Sequence, residues 1–257
     1  MLNTNFKNFG LESAQSILSG SDGIVHILSA DIENIRSRRV VNRYNSIITG
    51  KYPGMKAGRM MQWESRHERN AMLLLDTCPS VLAFNEQPCE INYILQGQKR
   101  RHFPDFLVKG CGWKEFWEVK MQKDAYSPEV SIRTALMHQH LPRYGYGYRI
   151  VLAEHLAFKT RLENAKKILR LGKASVSIVD QEKTRQLFQR QRYLPWGLIA
   201  HNTSDFHLLN HVCRLILDGL IALDFNQPIS DSTLITWVDQ SKTERSAEWL
   251  SHFFSAV

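Results

Sequence analysis

Pro104-Asp105-Phe106-Leu107-Val108 and, after a turn marked by Gly110 and Gly112, Glu118-Val119-Lys120 form the stretch that decides how this chain is read. The runs HFPDFLVK (102–109) and KEFWEVKM (114–121) are rich in aromatic and β-branched residues, as strands are. Side chains alternate across a strand, so Glu118 and Lys120, two apart, share a face. With Asp105 on the neighbouring strand, two carboxylates and an ammonium can meet at one end of a hairpin.

That trio suits phosphodiester hydrolysis. Hard oxygen donors such as Asp105 and Glu118 hold Mg²⁺, for which Mn²⁺ can substitute. The carbonyl of Val119, between the two side chains, is a candidate further ligand. A lysine at position 120 can orient or deprotonate the attacking water, or neutralise charge in the transition state. The pattern is that of a PD-(D/E)xK metal-dependent endonuclease. Set against it is a plain alternative, since a bare PD followed by ExK also arises by chance on solvated strand faces. Context favours the chemical reading: a turn separates the halves, a glutamate-bearing helix precedes them, and the chain is basic. In that helix, read from Met61 to Pro79, Glu64 and Glu68 are spaced i,i+4 and share a face. A carboxylate from it would complete a second metal position, while a solvated face with Arg–Glu partners is the alternative.

Working outward, CEINYIL (89–95) reads as a strand before the pair, with GQKRR (97–101) as the turn between. Pro128 starts a helix through SIRTALMHQHL, and Pro142 ends it. YRIVLAE (148–154) reads as a buried strand and RLENAKKILRL (161–171) as an amphipathic helix. The expected architecture is α/β, with an antiparallel three-strand meander and a fourth strand that arrives through a helix and lies parallel to its neighbour. Beyond Gly172 the sheet pattern fades. SVSIVD (175–180) is read as a last sheet strand, and HLLNHVCRLILDGLIALDF (207–225) as a strongly amphipathic helix to about Gly219 followed by a short strand. SDSTLITWV (230–238) adds one more strand. Helices followed by a small hairpin suggest a winged helix-turn-helix. The expected division is an endonuclease domain over 1–170, with its catalytic core at about 51–170 behind a basic N-terminal segment. A winged-helix-like domain that binds DNA or a partner follows over 171–257.

The chain has 257 residues, a formal charge of +8 and an isoelectric point near 9.4. The basic surplus favours an anionic partner such as nucleic acid. Ser37–Arg59 is a basic stretch interleaved with Tyr44 and Tyr52, suited to a phosphate backbone or to a solvated loop. Arg59 and Arg133 are the candidate DNA contacts, with Lys183, Arg185, Arg190 and Arg192 a further basic run. The four cysteines, 78, 89, 111 and 213, form no CxxC pair and read as buried apolar groups in a reducing compartment. No run reaches the roughly 20 apolar residues of a membrane span, so a cytoplasmic, nucleoid-associated protein is expected, with no membrane partner. His138 and His140 would pass for a metal pair, but an i,i+2 pair does not share a helix face.

ESRHERNAMLLLDTCPSVLAFNEQP (64–88), RRHFPDFLV (100–108) and EFWEVK (115–120), in this order and spacing, resemble the TnsA-type endonucleases of heteromeric transposases. The likeness covers roughly Lys51 to Glu154. It implies a restriction-endonuclease-like catalytic domain followed by a winged helix, in a prokaryotic protein. It implies cleavage of the 5-prime strands at transposon ends, on double-stranded DNA, beside a DDE-type transposase, with an AAA+ ATPase as a candidate regulator. Carried over by position, Glu68 is the helix carboxylate, Asp105 the strand carboxylate, Glu118 the position held by Glu or Gln, and Lys120 the lysine. A stand-alone nuclease of the same fold and a non-catalytic DNA-binding adaptor are the alternatives.

Overall fold

The computed structural model describes residues 18–29, 49–189 and 191–238. Most of the basic segment Ser37–Arg59, and Arg190, fall outside them. The chain divides into two compact units, residues 1–69 with 82–156, and residues 70–81 with 157–257. Among the described residues no helix is long and apolar enough to cross a membrane.

The first unit opens with strands β1 (Gly23–Ser29), β2 (Gly50–Gly54) and β3 (Arg59–Trp63) and the start of helix α1 (Arg66–Thr77), whose later turns belong to the second unit. Strands β4 (Val81–Glu86), β5 (Cys89–Leu95), β6 (Gln98–His102), β7 (Phe106–Gly110) and β8 (Trp113–Lys120) follow. A short helix α2 (Gln122–Ala125), helix α3 (Pro128–His140), strand β9 (Gly147–Leu152) and a one-turn helix α4 (Ala153–Leu156) complete it. Two of its sheets matter most here. β1-β5-β6 is antiparallel, and β4-β7-β8-β9 is mixed, with β7 antiparallel and β9 parallel to β8. Alternation on β5 buries Cys89, Ile91, Tyr93 and Leu95, which share a core with Phe116 of β8, Leu136 and Met137 of α3, and Tyr148 and Ile150 of β9. α3 starts where expected: the Ser127 hydroxyl accepts the Val130 N–H and Pro128 occupies the first turn.

The second unit contains α5 (Lys159–Leu171), α6 (Ile178–Leu187), β10 (Tyr193–Pro195), α7 (Trp196–Ala200), α8 (Leu208–Leu217), β11 (Ile221–Ala222) and β12 (Leu234–Trp237). Its three strands form an antiparallel sheet in the order β10-β12-β11. α8 is apolar on most sides, with Leu208, Val212, Cys213, Leu215, Ile216 and Leu217 buried. At the end of α5 a Cβ on Gly172 would stand 2.9 Å from backbone atoms of Cys213 and Arg214, so only glycine allows this approach.

Four expectations are corrected. GQKRR is not a turn: Gln98–His102 is β6, and only Gln96 and Gly97, at φ 54° and 72°, make the tight turn from β5. Edge strands carry exposed Lys and Arg, which hides their alternation. The three-strand meander is accordingly split, since β5 pairs with β1 and β6 while β7 and β8 lie in the other sheet. Met61 lies in β3, and the helix begins only at Arg66. SVSIVD is not a strand, because Ser177 accepts the Asp180 N–H and caps α6. The parallel placement of β9 beside β8 agrees with the sequence reading.

Candidate active site

Asp105 occupies the bend just before β7. The register Phe106↔Trp117, extended by one position, sets it opposite Glu118 on β8. Two backbone contacts hold it there. Its Oδ2 accepts the Val119 N–H at 2.7 Å, and its carbonyl accepts the Gln87 N–H at 2.8 Å. Gln87 adopts φ 42°, a left-handed turn beyond β4. Burial, together with the facing carboxylates of Glu68 and Glu118, pushes the Asp105 carboxyl well above its usual range.

Glu118 is 3% exposed and surrounded by donors. Lys120 Nζ lies 2.8 Å from Oε1. Arg133 Nη2, from α3, reaches Oε1 at 2.8 Å and Oε2 at 2.9 Å. The Tyr148 hydroxyl, from β9, donates to Oε2, and His102 Nε2, at the end of β6, stands 3.2 Å from the same oxygen. Tyr148 and His102 also contact each other at 3.1 Å. Burial alone would raise the Glu118 carboxyl, but His102, Arg133 and Lys120 outweigh it and bring it down to about 2. Burial takes His102 down to about 4, so the ring is neutral at pH 7 and the two permanent cations carry the stabilisation of Glu118.

The remaining sequence-derived residues are placed differently. Glu68 forms a capping box with Ser65: its Oε2 accepts the Glu64 N–H at 2.8 Å, its Oε1 the Ser65 hydroxyl at 2.9 Å, and the Ser65 hydroxyl accepts the Glu68 N–H at 3.1 Å. Glu64 accepts from the Gln87 amide. Neither expected DNA contact presents an open cation. Arg59 makes a two-pronged pair with buried Glu86 at 2.9 and 2.6 Å, and Arg133 is committed to Glu118. His102 and Tyr148 were not singled out in the sequence. Tyr148 lies in register with Phe116, two positions before the Glu118↔Ile150 pair and on the same face, a relation visible only once β8 and β9 are paired.

Among the described residues no three His, Cys, Asp or Glu side chains come together in a metal-holding cluster. The donor set nevertheless fits a hard divalent cation at Asp105 and Glu118. Burial and the repulsion of Glu68 and Glu118 lift Asp105, and a bound cation would relieve that repulsion. Both oxygens of Glu68 are engaged at the helix start, as both oxygens of Glu118 are by its donors, so either carboxylate would exchange a partner for a cation.

Residues 78–167 match the family model TnsA-like endonuclease N terminal. That segment is similar to the TnsA-like endonucleases that the motifs resembled. The TnsA-like segment contains Asp105, Glu118 and Lys120 with their partners His102, Arg133 and Tyr148, and leaves out Glu68. No curated protein matches the chain.

Proposed function

We propose that this protein is a Mg²⁺-dependent endonuclease that cuts the 5-prime strand at each transposon end within a transposase complex. The supporting observation is the meeting of Asp105, Glu118 and Lys120 on one strand pair inside the TnsA-like segment. Asp105 and Glu118, with the Val119 carbonyl as a further candidate, would hold the metal. When bound, Mg²⁺ polarises the phosphoryl oxygen and lowers the pKa of a bound water. Lys120, partly open to solvent while Glu118 is not, is the group able to follow the substrate. Its ammonium can orient the attacking water or offset charge on the phosphoryl oxygens. The fixed Val119 N–H keeps Asp105 in one orientation, so little rearrangement precedes the step. Glu68 is proposed as an electrostatic neighbour of Asp105, near enough to raise it while capping α1.

The second unit is proposed as a winged-helix-like docking module. Its order of helix α6, strand β10, helices α7 and α8, then strands β11 and β12, supports that reading. Every residue of α8, which occupies the place of a recognition helix, is buried or half-buried. This favours a protein partner, the DDE-type transposase or an AAA+ ATPase, over major-groove reading.

Strand-resolved cleavage of an end-containing duplex, with and without the partner transposase, tests the reading. The expected result is weak or no cutting alone and a single 5-prime-strand cut per end with the partner. Efficient, sequence-indifferent double-strand cutting by the purified chain would instead identify a stand-alone nuclease.

A further inference from the structure

Glu118 has two kinds of partner. Lys120 approaches Oε1 from the more open side, its side chain 33% exposed. Arg133, Tyr148 and His102 approach from the interior, their residues buried or nearly so. A carboxylate offers about four lone-pair sites. Lys120, Arg133 and Tyr148 make four contacts at hydrogen-bond range with Oε1 and Oε2, as many as the carboxylate has lone-pair sites, and His102 Nε2 stands 3.2 Å from Oε2. An incoming ligand must therefore displace a donor. Lys120 is the one with solvent to move into, whereas the Arg133 side chain on α3 is only 14% exposed.

We infer that Arg133, Tyr148 and His102 are positioning residues that fix the Glu118 carboxylate from behind, while Lys120 alone exchanges. The inference rests on the metal-dependent reading proposed above and names residues that this reading does not require. Three different elements supply the set: α3, β9 and the end of β6. A single nitrogen of Arg133, Nη2, donates to both oxygens and so holds the carboxylate from one side. Tyr148 adds a donor to Oε2 and links that oxygen to His102, which stands 3.1 Å from the Tyr148 hydroxyl. Partners behind a ligating group orient it, and their loss commonly costs about 10–100-fold in metal affinity. A structural ion pair would behave differently, because breaking it would lower stability without selectively weakening metal binding.

Mn²⁺ binding to the full chain, measured by titration calorimetry beside thermal melting, decides between them. Arg133→Met is expected to weaken Mn²⁺ about tenfold or more, Arg133→Lys to restore part of that loss, and Tyr148→Phe to weaken it severalfold while lowering the melting temperature less than Arg133→Met does. Tyr148→Phe carries the test if Arg133→Met fails to fold. Folded variants that bind Mn²⁺ as tightly as the wild type, or more tightly, overturn the inference and mark Arg133 as a structural partner or a competitor for Glu118. A wild-type chain that binds no Mn²⁺ overturns the metal-dependent reading itself, and the inference with it.

Discussion

The interiors of the two units use their buried polar groups differently. Beneath the β4-β7-β8-β9 sheet the first unit buries Glu118, His102 and Tyr148 in one connected polar group, with Arg133 at its margin. The second unit buries Leu194, Trp196, Ile199, Ile221, Phe225 and Ile235, and its buried polar side chains include Asp76, Arg161 and Asn164, of which Arg161 donates to the Asn226 side chain and Asn164 to the Phe225 and Gln227 carbonyls. A buried polar group is stable only when every member is satisfied, and a hydrophobic isostere often does as well. The convergence of several partners on one buried carboxylate in the first unit therefore indicates where chemistry, rather than stability, shapes the interior.

The strongest challenge to this contrast is Asp105→Asn. Cleavage should disappear while urea melting stays near wild type, because Asp105 is costly to ionise where it stands and contributes little to folding. Cutting at wild-type rates would break the contrast. The converse change is Leu215→Ala in α8. It should cost about 2–5 kcal/mol in denaturant melts and leave the cleavage rate per folded molecule unchanged.

A smaller effect is expected with acid. Burial lowers His102 to about 4 and also lowers His138 of α3 from the usual 6.5, so the native first unit binds fewer protons than the unfolded chain between those limits. Their contribution to stability is complete above pH 6.5 and is lost as pH falls toward 4. The Glu118 contribution follows the same sign lower down, between its usual 4.5 and about 2. Asp105, which is raised, opposes the trend. Stability measured against pH should slope downward below 6.5, and His138→Gln should flatten part of that slope; an unchanged slope would remove His138 from the account. The smallest effect concerns α1. Glu68→Ala should cost about 0.5–2 kcal/mol through the lost capping box, whereas Glu68→Gln should cost little, as read by thermal melting.

The sequence carried the β7–β8 pair and the parallel β9, because their apolar runs are bounded by turns and proline-started helices. β6 was hidden, since an edge strand of Gln98, Lys99, Arg100 and Arg101 has little to bury. Ile178 and Val179 suggested a strand by composition, yet both are exposed in the first turn of a helix capped by Ser177. At the site, Asp105, Glu118 and Lys120 were readable because their relation is local to one hairpin. Arg133 was noticed for its charge and read as a DNA contact, without its pairing to the buried Glu118 carboxylate. His102 and Tyr148 had no local signal: they meet at Glu118 only through pairings between distant segments.

Those distances also bear on synthesis. The donors to Glu118 include Arg133, 15 positions later in the chain, and Tyr148, 30 positions later. A nascent chain released as far as β8 has its carboxylate but neither of these partners, and burying it then would leave a charge uncompensated. The β7–β8 pair can form early, while the end that carries Glu118 must stay wet until α3 and β9 emerge and close over it. The order in which a ribosome delivers the chain thus keeps the surroundings of Glu118 unassembled until the fold around it is nearly finished.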